Sequence, residues 1–322
     1  MHPLARALFS SWEWRPEVLV VIVPMSMLYV WGWRRLRQQS VNHKLANWPR
    51  LASYLGGMVI VAIALMSPID RLGGQLFFMH MIQHMLFMMF AAPLLWLAEP
   101  FPIALWGLPG PMRHSIGSFF TRDSAFRRGL AAATSPGVSW LIFITIYLGW
   151  HDSTFYNAAL YHEWIHNIQH LTFFGASLLY WWPIVGAAPH IHSHFPAWAK
   201  LPYLIGTVPP NMFVGVSIAF ASDVRYSYYE SVPRFWGFTV MQDQQISGAI
   251  MWIPGSMMFI MVALFIIALM FSKEKTQPGP VSATWDADYA MIAPGLEHRV
   301  IQNRWRNAAE VSLPTSRDHN EE

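Results

Sequence analysis

The sequence predicts an all-α, polytopic membrane protein: a bundle of seven transmembrane helices followed by a polar tail. Three observations favour this class. The 322 residues are 54% hydrophobic and only 12% charged, about half the charged fraction of a typical soluble domain. Apolar runs of roughly 20 residues, the length that crosses a bilayer, recur along most of the chain. Lys and Arg gather in short segments between these runs, as membrane insertion requires.

The predicted spans are apolar stretches separated by short polar segments. In chain order they lie at about 17–33, 51–67, 75–98, 130–150, 163–186, 201–222 and 246–271. In the fourth span, Pro136 predicts a kink, because proline removes a backbone donor within a helix. In the sixth, Pro209 and Pro210 predict an interruption. Residues 1–272 therefore form the predicted transmembrane domain. Residues 273–322 are predicted to be a polar, largely disordered cytoplasmic tail.

The distribution of Lys and Arg predicts that the N-terminus lies outside and the C-terminus inside. With this orientation, only five of the 21 basic residues fall on the outer side: Arg6, Arg15, Arg71, Arg225 and Arg234. The others lie on the inner side, as the positive-inside rule demands. Membrane orientation thus accounts for the basic residues and for the net charge of +3. We therefore predict a protein of the lipid bilayer that does not bind nucleic acid.

Two segments on different spans read His-x-Ile-Gln-His. His80 and His84 form one pair, and His166 and His170 form the other. Residues four apart share one helix face, with Cβ atoms about 6 Å apart. Ionisable residues inside a membrane are costly and usually functional. With N-out orientation both spans enter from the outside, so the pairs should lie at similar depth. The pattern predicts a metal or haem site on the outer face.

Further residues are candidates for the same site. His151 follows the outer end of the fourth span beside Asp152, and His162 extends the second His stripe by one turn. Asp243, at the outer border of the seventh span, is interpreted as a ligand, a proton carrier or a helix cap. Met85 adjoins His84 and is the best thioether candidate, because a chain without cysteine must bind soft metals through Met and His.

The glutamine that precedes the second histidine of each pair has two interpretations. Gln83 and Gln169 either orient a ring nitrogen or bridge helices. The tract His190-Ile191-His192-Ser193-His194 falls in a predicted inner loop, where a surface role is favoured over metal binding.

Three functions are compatible with four imidazoles in a membrane. The first is copper handling, since imidazole and thioether suit Cu(I). The second is electron transfer through a bis-histidine haem b. The third is a histidine-box di-iron oxygenase, which is disfavoured because the predicted topology separates residues 190–194 from the other histidines by the thickness of the membrane.

Several short motifs occur together in this chain, in order and on successive spans. Besides the two His pairs, they are Ser67-Pro68-Ile69-Asp70, Trp150-His151, Trp181-Trp182-Pro183 and the segment from Asp243 to Trp252, DQQISGAIMW. In these features the chain resembles the multi-span CtaG-type cytochrome c oxidase assembly factors, over roughly residues 17–271.

The resemblance implies a seven-span protein of the bacterial plasma membrane that helps to assemble haem–copper oxidases by handling copper. Its partners would be oxidase subunits and a periplasmic copper donor, and its role would be non-enzymatic. The outward-facing histidines of the family would correspond to His80, His84, His166 and His170, and its acidic residue to Asp243. Gln169 stands at a position that is often acidic in that family.

Overall fold

The computed structural model describes residues 12–39, 45–121, 124–191, 195–234 and 236–276. These residues form helices and no strand, which confirms the predicted all-α class. The α-helices of the first half of the chain are α1 (Pro16–Gln39), α2 (Trp48–Met66), α3 (Pro68–Gly73), α4 (Phe77–Met85), α5 (Ala92–Leu97), α6 (Pro100–Gly107), α7 (Gly110–Phe119) and α8 (Ala125–Ala133). Those of the second half are α9 (Pro136–Trp150), α10 (Ser153–Tyr161), α11 (Glu163–Val185), α12 (Ala197–Ile205), α13 (Val208–Ala219) and α14 (Val240–Thr276).

The chain divides into two compact units, residues 1–267 and 268–322. The first contains every helix up to most of α14. Of the second, only the end of α14, to Thr276, is described. The predicted polar tail therefore lies, from residue 277 onward, outside the described residues.

Several helical segments are long and apolar enough to cross a bilayer. The five found among the described residues are Pro16–Gln39, Trp48–Met66, Phe77–Leu97, Ala197–Ala219 and Val240–Ser272. The bent pair of α8 and α9 makes a sixth. Helix α11 has 23 residues, but its polar first turns, which carry the second His pair, lower its mean hydropathy. The membrane class is confirmed, and the count of seven spans stays a prediction.

Two spans are broken, one as predicted and one elsewhere. Helices α8 and α9 meet at 52°, with Pro136 in the first turn of α9. In the sixth span the interruption was predicted at Pro209 and Pro210, but the break falls earlier, between α12 and α13. Both prolines lie in the first turn of α13, where their missing N–H groups need no intrahelical acceptor.

The third span contains an unusual wide turn. Residues Leu86–Ala91 form a π-helix immediately after α4, a feature that often marks functional sites. The indole of Trp181, from α11, donates a hydrogen bond of 2.6 Å to the carbonyl of Met88 in this turn. Trp181 is fully buried in the main apolar core. The wide turn is thus fixed against the helix that carries the second His pair.

Candidate metal centre

The fold brings the two His pairs into one cluster between α4 and α11. Within the pairs, the ring centroids of His80 and His84 are 4.3 Å apart, and those of His166 and His170 are 4.1 Å apart. Between the helices, His80 lies 5.1 Å from His166, and His84 lies 5.5 Å from His170. Every ring therefore contacts a ring of the other pair, as expected for two helices that present one shared pocket.

Three of these side chains form a compact donor set. His80, His84 and His170 each offer one ligand atom, and these atoms lie within 4.8 Å of one another. All three residues are buried. Nitrogen ligands bind a metal at about 2 Å and are therefore separated by about 3.3–4 Å. Small side-chain rotations would bring the three nitrogens onto one ion.

The hydrogen bonding of the cluster is incomplete. Buried side-chain nitrogen and oxygen atoms without a hydrogen-bond partner occur, among the described residues, only in the two His-x-Ile-Gln-His segments. They are His80 Nδ1, Gln83 Oε1, His84 Nδ1, His166 Nε2, Gln169 Nε2 and Oε1, and His170 Nδ1 and Nε2. A buried polar atom without a partner costs about 1–3 kcal/mol. Concentration of such atoms at one place is typical of a ligand site.

The one direct bond within the cluster joins two imidazoles. Nε2 of His80 lies 2.8 Å from Nε2 of His84, so one of the two nitrogens must carry the proton and the other must accept it. A cation coordinated by both rings needs the lone pair of each Nε2 atom, so neither Nε2 atom can then carry a proton. It can therefore replace this hydrogen bond by coordinating each ring in its neutral form.

His151 lies next to the cluster, behind an aromatic ring. Its centroid is 5.8 Å from that of Phe173, which in turn is 4.6 Å from His84. Nδ1 of His151 lies 2.6 Å from the carbonyl of Tyr147, which fixes the Nδ1–H tautomer and leaves Nε2 with a lone pair. Burial lowers the pKa of His151 to about 4. The imidazole is therefore neutral at physiological pH and competent as a ligand.

None of the other predicted ligands belongs to the compact donor set of His80, His84 and His170. His162 is exposed and occupies the N-cap of α11. Met85 is half-buried, and one helical step turns its side chain about 100° away from His84. Asp243 is fully buried, but its carboxylate accepts hydrogen bonds from the backbone N–H groups of Phe77 and Phe78. The structure thus gives these oxygens partners other than a metal.

A chain of hydrogen bonds and ion pairs, here called the polar relay, runs from Gln83 in the first His segment to the protein surface. Gln83, on α4 between the two histidines, donates from Nε2 to Oδ1 of Asp70 at 2.6 Å and to the carbonyl of Ala64 at 2.8 Å. Arg15 lies 3.5 Å from Asp70 and 3.9 Å from Glu163 at the start of α11. Its guanidinium therefore bridges α3, which precedes α4, and the first residue of α11.

Asp70 is the acidic member of this relay. Its burial raises the pKa of the carboxyl group, although Arg15 and the hydrogen bond from Gln83 oppose the shift. In the sequence Asp70 stands out only as part of the motif Ser67-Pro68-Ile69-Asp70, and no pattern connects it with Gln83. The only available signal was the acidic residue in the turn that leads into the third span.

Arg234 was also missed as a functional candidate. It forms an ion pair of 2.8 Å with Asp243. In the sequence it appears only as one of five outer basic residues, because no helix or strand spacing relates a loop residue to Asp243 in the helix that follows.

These features define a helical membrane protein with a cluster of imidazoles in the first turns of two helices, α4 and α11. Residues 27–273 match the family described as cytochrome c oxidase caa3 assembly factor (Caa3_CtaG). The chain belongs to this family, which confirms the resemblance found in the sequence.

Two curated relatives extend the comparison. They are uncharacterised proteins of Mycobacterium bovis and Mycobacterium tuberculosis, each 24% identical to this chain over 294 residues. The match covers 89% of this chain and 43% of each relative, so the chain spans less than half the length of these proteins. No solved structure matches the chain.

Proposed function

We propose that the protein binds copper at the His cluster and presents it to a haem–copper oxidase during assembly. The proposed ligands are His80, His84 and His170, with His166 beside them. The observation that carries the proposal is the concentration of unpartnered buried atoms in the two His-x-Ile-Gln-His segments. Family membership supports the oxidase as the recipient and a non-catalytic role.

The chemistry of the donors favours copper. The cluster offers neutral imidazoles, and its compact set contains no carboxylate. Hard cations such as magnesium or calcium prefer oxygen ligands, whereas imidazole suits copper, and Cu(I) accepts few ligands. Phe173 and Tyr156 contact rings of the cluster. This apolar wall limits the access of water to the bound ion.

The proposed topology has seven spans, including α11, with the N-terminus outside and the C-terminus inside. Helices α4 and α11 both begin at the outer face in this arrangement, so the cluster lies near the periplasmic surface of a bacterial plasma membrane. Copper would arrive there from a periplasmic donor. The distribution of Lys and Arg supports this orientation.

The packing of the rings favours an ion over haem b. Two histidines that ligate one haem must lie on opposite faces of a porphyrin. Here the rings contact one another directly, with the centroids of His80 and His170 6.0 Å apart, so a porphyrin would have to part α4 from α11. For the di-iron alternative, His192 and His194 lie outside the described residues.

Metal analysis of protein purified from its native membrane tests the proposal. We expect about one copper per chain, as one cluster implies, and loss of that copper in the double variant H80A/H84A. The matched control is H114A/H190A, which removes two exposed histidines and should retain the copper. Stoichiometric haem or iron without copper, or equal copper in both double variants, would contradict the proposal.

A further inference from the structure

Helix α4, which carries His80 and His84, begins without a cap of its own. Its N-cap residue is Leu76, whose side chain cannot accept a hydrogen bond. The first N–H groups of a helix have no intrahelical acceptor and need another partner when they are buried. Here the partner is Asp243, which accepts from the N–H of Phe77 at 2.9 Å through Oδ2 and from that of Phe78 at 3.0 Å through Oδ1.

The capping carboxylate comes from a distant part of the chain. Asp243 is 166 residues beyond Phe77 and lies in the first turn of α14. An N-cap usually comes from the residue that precedes the helix. A cap supplied by another span ties the start of α4 to the start of α14, so it fixes a tertiary position as well as a helix end.

Arg234 completes this connection from the loop before α14. Its Nη2 donates to Oδ2 of Asp243 at 2.8 Å, and its Nη1 donates to the carbonyl of Gln75 at 3.2 Å. The carboxylate is 1% exposed and the guanidinium 20% exposed. The negative charge is thus balanced by Arg234 and by the positive end of the α4 dipole.

The same loop makes further bonds around the site. The hydroxyl of Tyr229 donates to the carbonyl of Gly73 at 3.0 Å, and that of Tyr226 donates to the carbonyl of His151 at 2.9 Å. The rings of both tyrosines contact the ring of Phe77. Hydrogen bonds from this loop therefore fix the position of Gly73, at the end of the helix before α4, and of His151.

We propose that Asp243, together with Arg234, is a positioning residue that sets the place of His80 and His84 for metal binding without ligating the metal. The inference rests on the proposed copper function. His80 lies three residues after Phe77, in the first turn of α4, so a displacement of the helix start moves its ring directly. Metal affinity depends on ligand placement within about 0.5 Å.

The test compares D243N with N47A in the full-length protein. Asn47 caps α2, since its Oδ1 accepts a hydrogen bond of 2.9 Å from the N–H of Arg50, and it therefore controls for the loss of a cap elsewhere. We expect copper affinity, measured by competition with a chromophoric chelator, to fall about 10-fold to 100-fold in D243N and less than twofold in N47A. R234Q, at a more exposed position, should weaken binding in the same direction and serves if D243N does not fold.

X-ray absorption of the copper-loaded protein separates positioning from ligation. A positioning role predicts the same number and kind of nearest ligands in D243N and in the wild type at saturating copper. Loss of an oxygen ligand in D243N would overturn the inference, and so would unchanged affinity in both D243N and R234Q. If the wild-type protein binds no copper, the proposed function fails instead, so the two failures are distinguishable.

Discussion

Replacement of Gly248 by alanine tests whether the close contact between α13 and α14 shapes the bundle. A Cβ atom at this position would lie 2.4 Å from the backbone nitrogen of Ala219 and 2.6 Å from the carbonyl oxygen of Gly215. Both neighbours are backbone atoms, which cannot rotate away as side chains do. The helices would have to separate by about 1 Å to restore ordinary contact distances.

The expected cost follows from two opposing effects. Overpacking of a tight contact costs typically 1–3 kcal/mol, and the rigid backbone partners place G248A near the upper end of that range. Alanine recovers about 1 kcal/mol because it favours a helix more than glycine does. The net destabilisation is therefore about 2 kcal/mol.

Thermal unfolding in detergent, followed by the fluorescence of the 17 tryptophans, measures this change. The matched control is G56A, since a Cβ at Gly56 in α2 meets nothing within 4 Å. We expect a clearly lower unfolding midpoint for G248A and an unchanged or higher one for G56A. Equal midpoints for G248A and the wild type would refute the reasoning.

Two further predictions concern the relay and the topology. Burial raises the pKa of Asp70 above its usual value of 3.8, so ionisation of this carboxyl group destabilises the folded state. The loss of folding free energy grows as the pH rises from about 3.8 through the raised pKa. Over that pH range the unfolding midpoint of the wild type should fall more than that of D70N. Parallel plots of midpoint against pH for the two proteins would show that Asp70 does not titrate in this way. Alkaline phosphatase fused after Asp152 should be active, whereas a fusion after Lys200 should be inactive; the reverse pattern would overturn the N-out orientation.

The sequence predicted the features that depend on local composition and helical spacing. Apolar runs predicted the membrane class, and the four-residue spacing placed each His pair on one face. Pro136 predicted a bend that the structure has at the start of α9. The break predicted at Pro209 and Pro210 was misplaced, because proline is as compatible with the first turn of a helix as with a break inside one.

The contacts that position the His-bearing helices could not be predicted in the same way. Asp243 was recognised as unusual, but its partners, Phe77 and Phe78, lie more than 160 residues away, and no local pattern connects them. The contact of Gln83 with Asp70 likewise depends on the turn that reverses the chain before α4. Such contacts follow from the packing of whole helices, which one sequence does not specify.

The π-helix at Leu86–Ala91 makes the His cluster sensitive to chain length as well as to residue identity. A π-turn holds one residue more than an α-helical turn, and each residue rotates a helix by about 100°. Deleting a single residue there would restore regular winding and swing His80 and His84 away from α11 by more than a quarter of a revolution. The relative positions of the four imidazoles thus depend partly on the extra residue in the π-helix that follows α4.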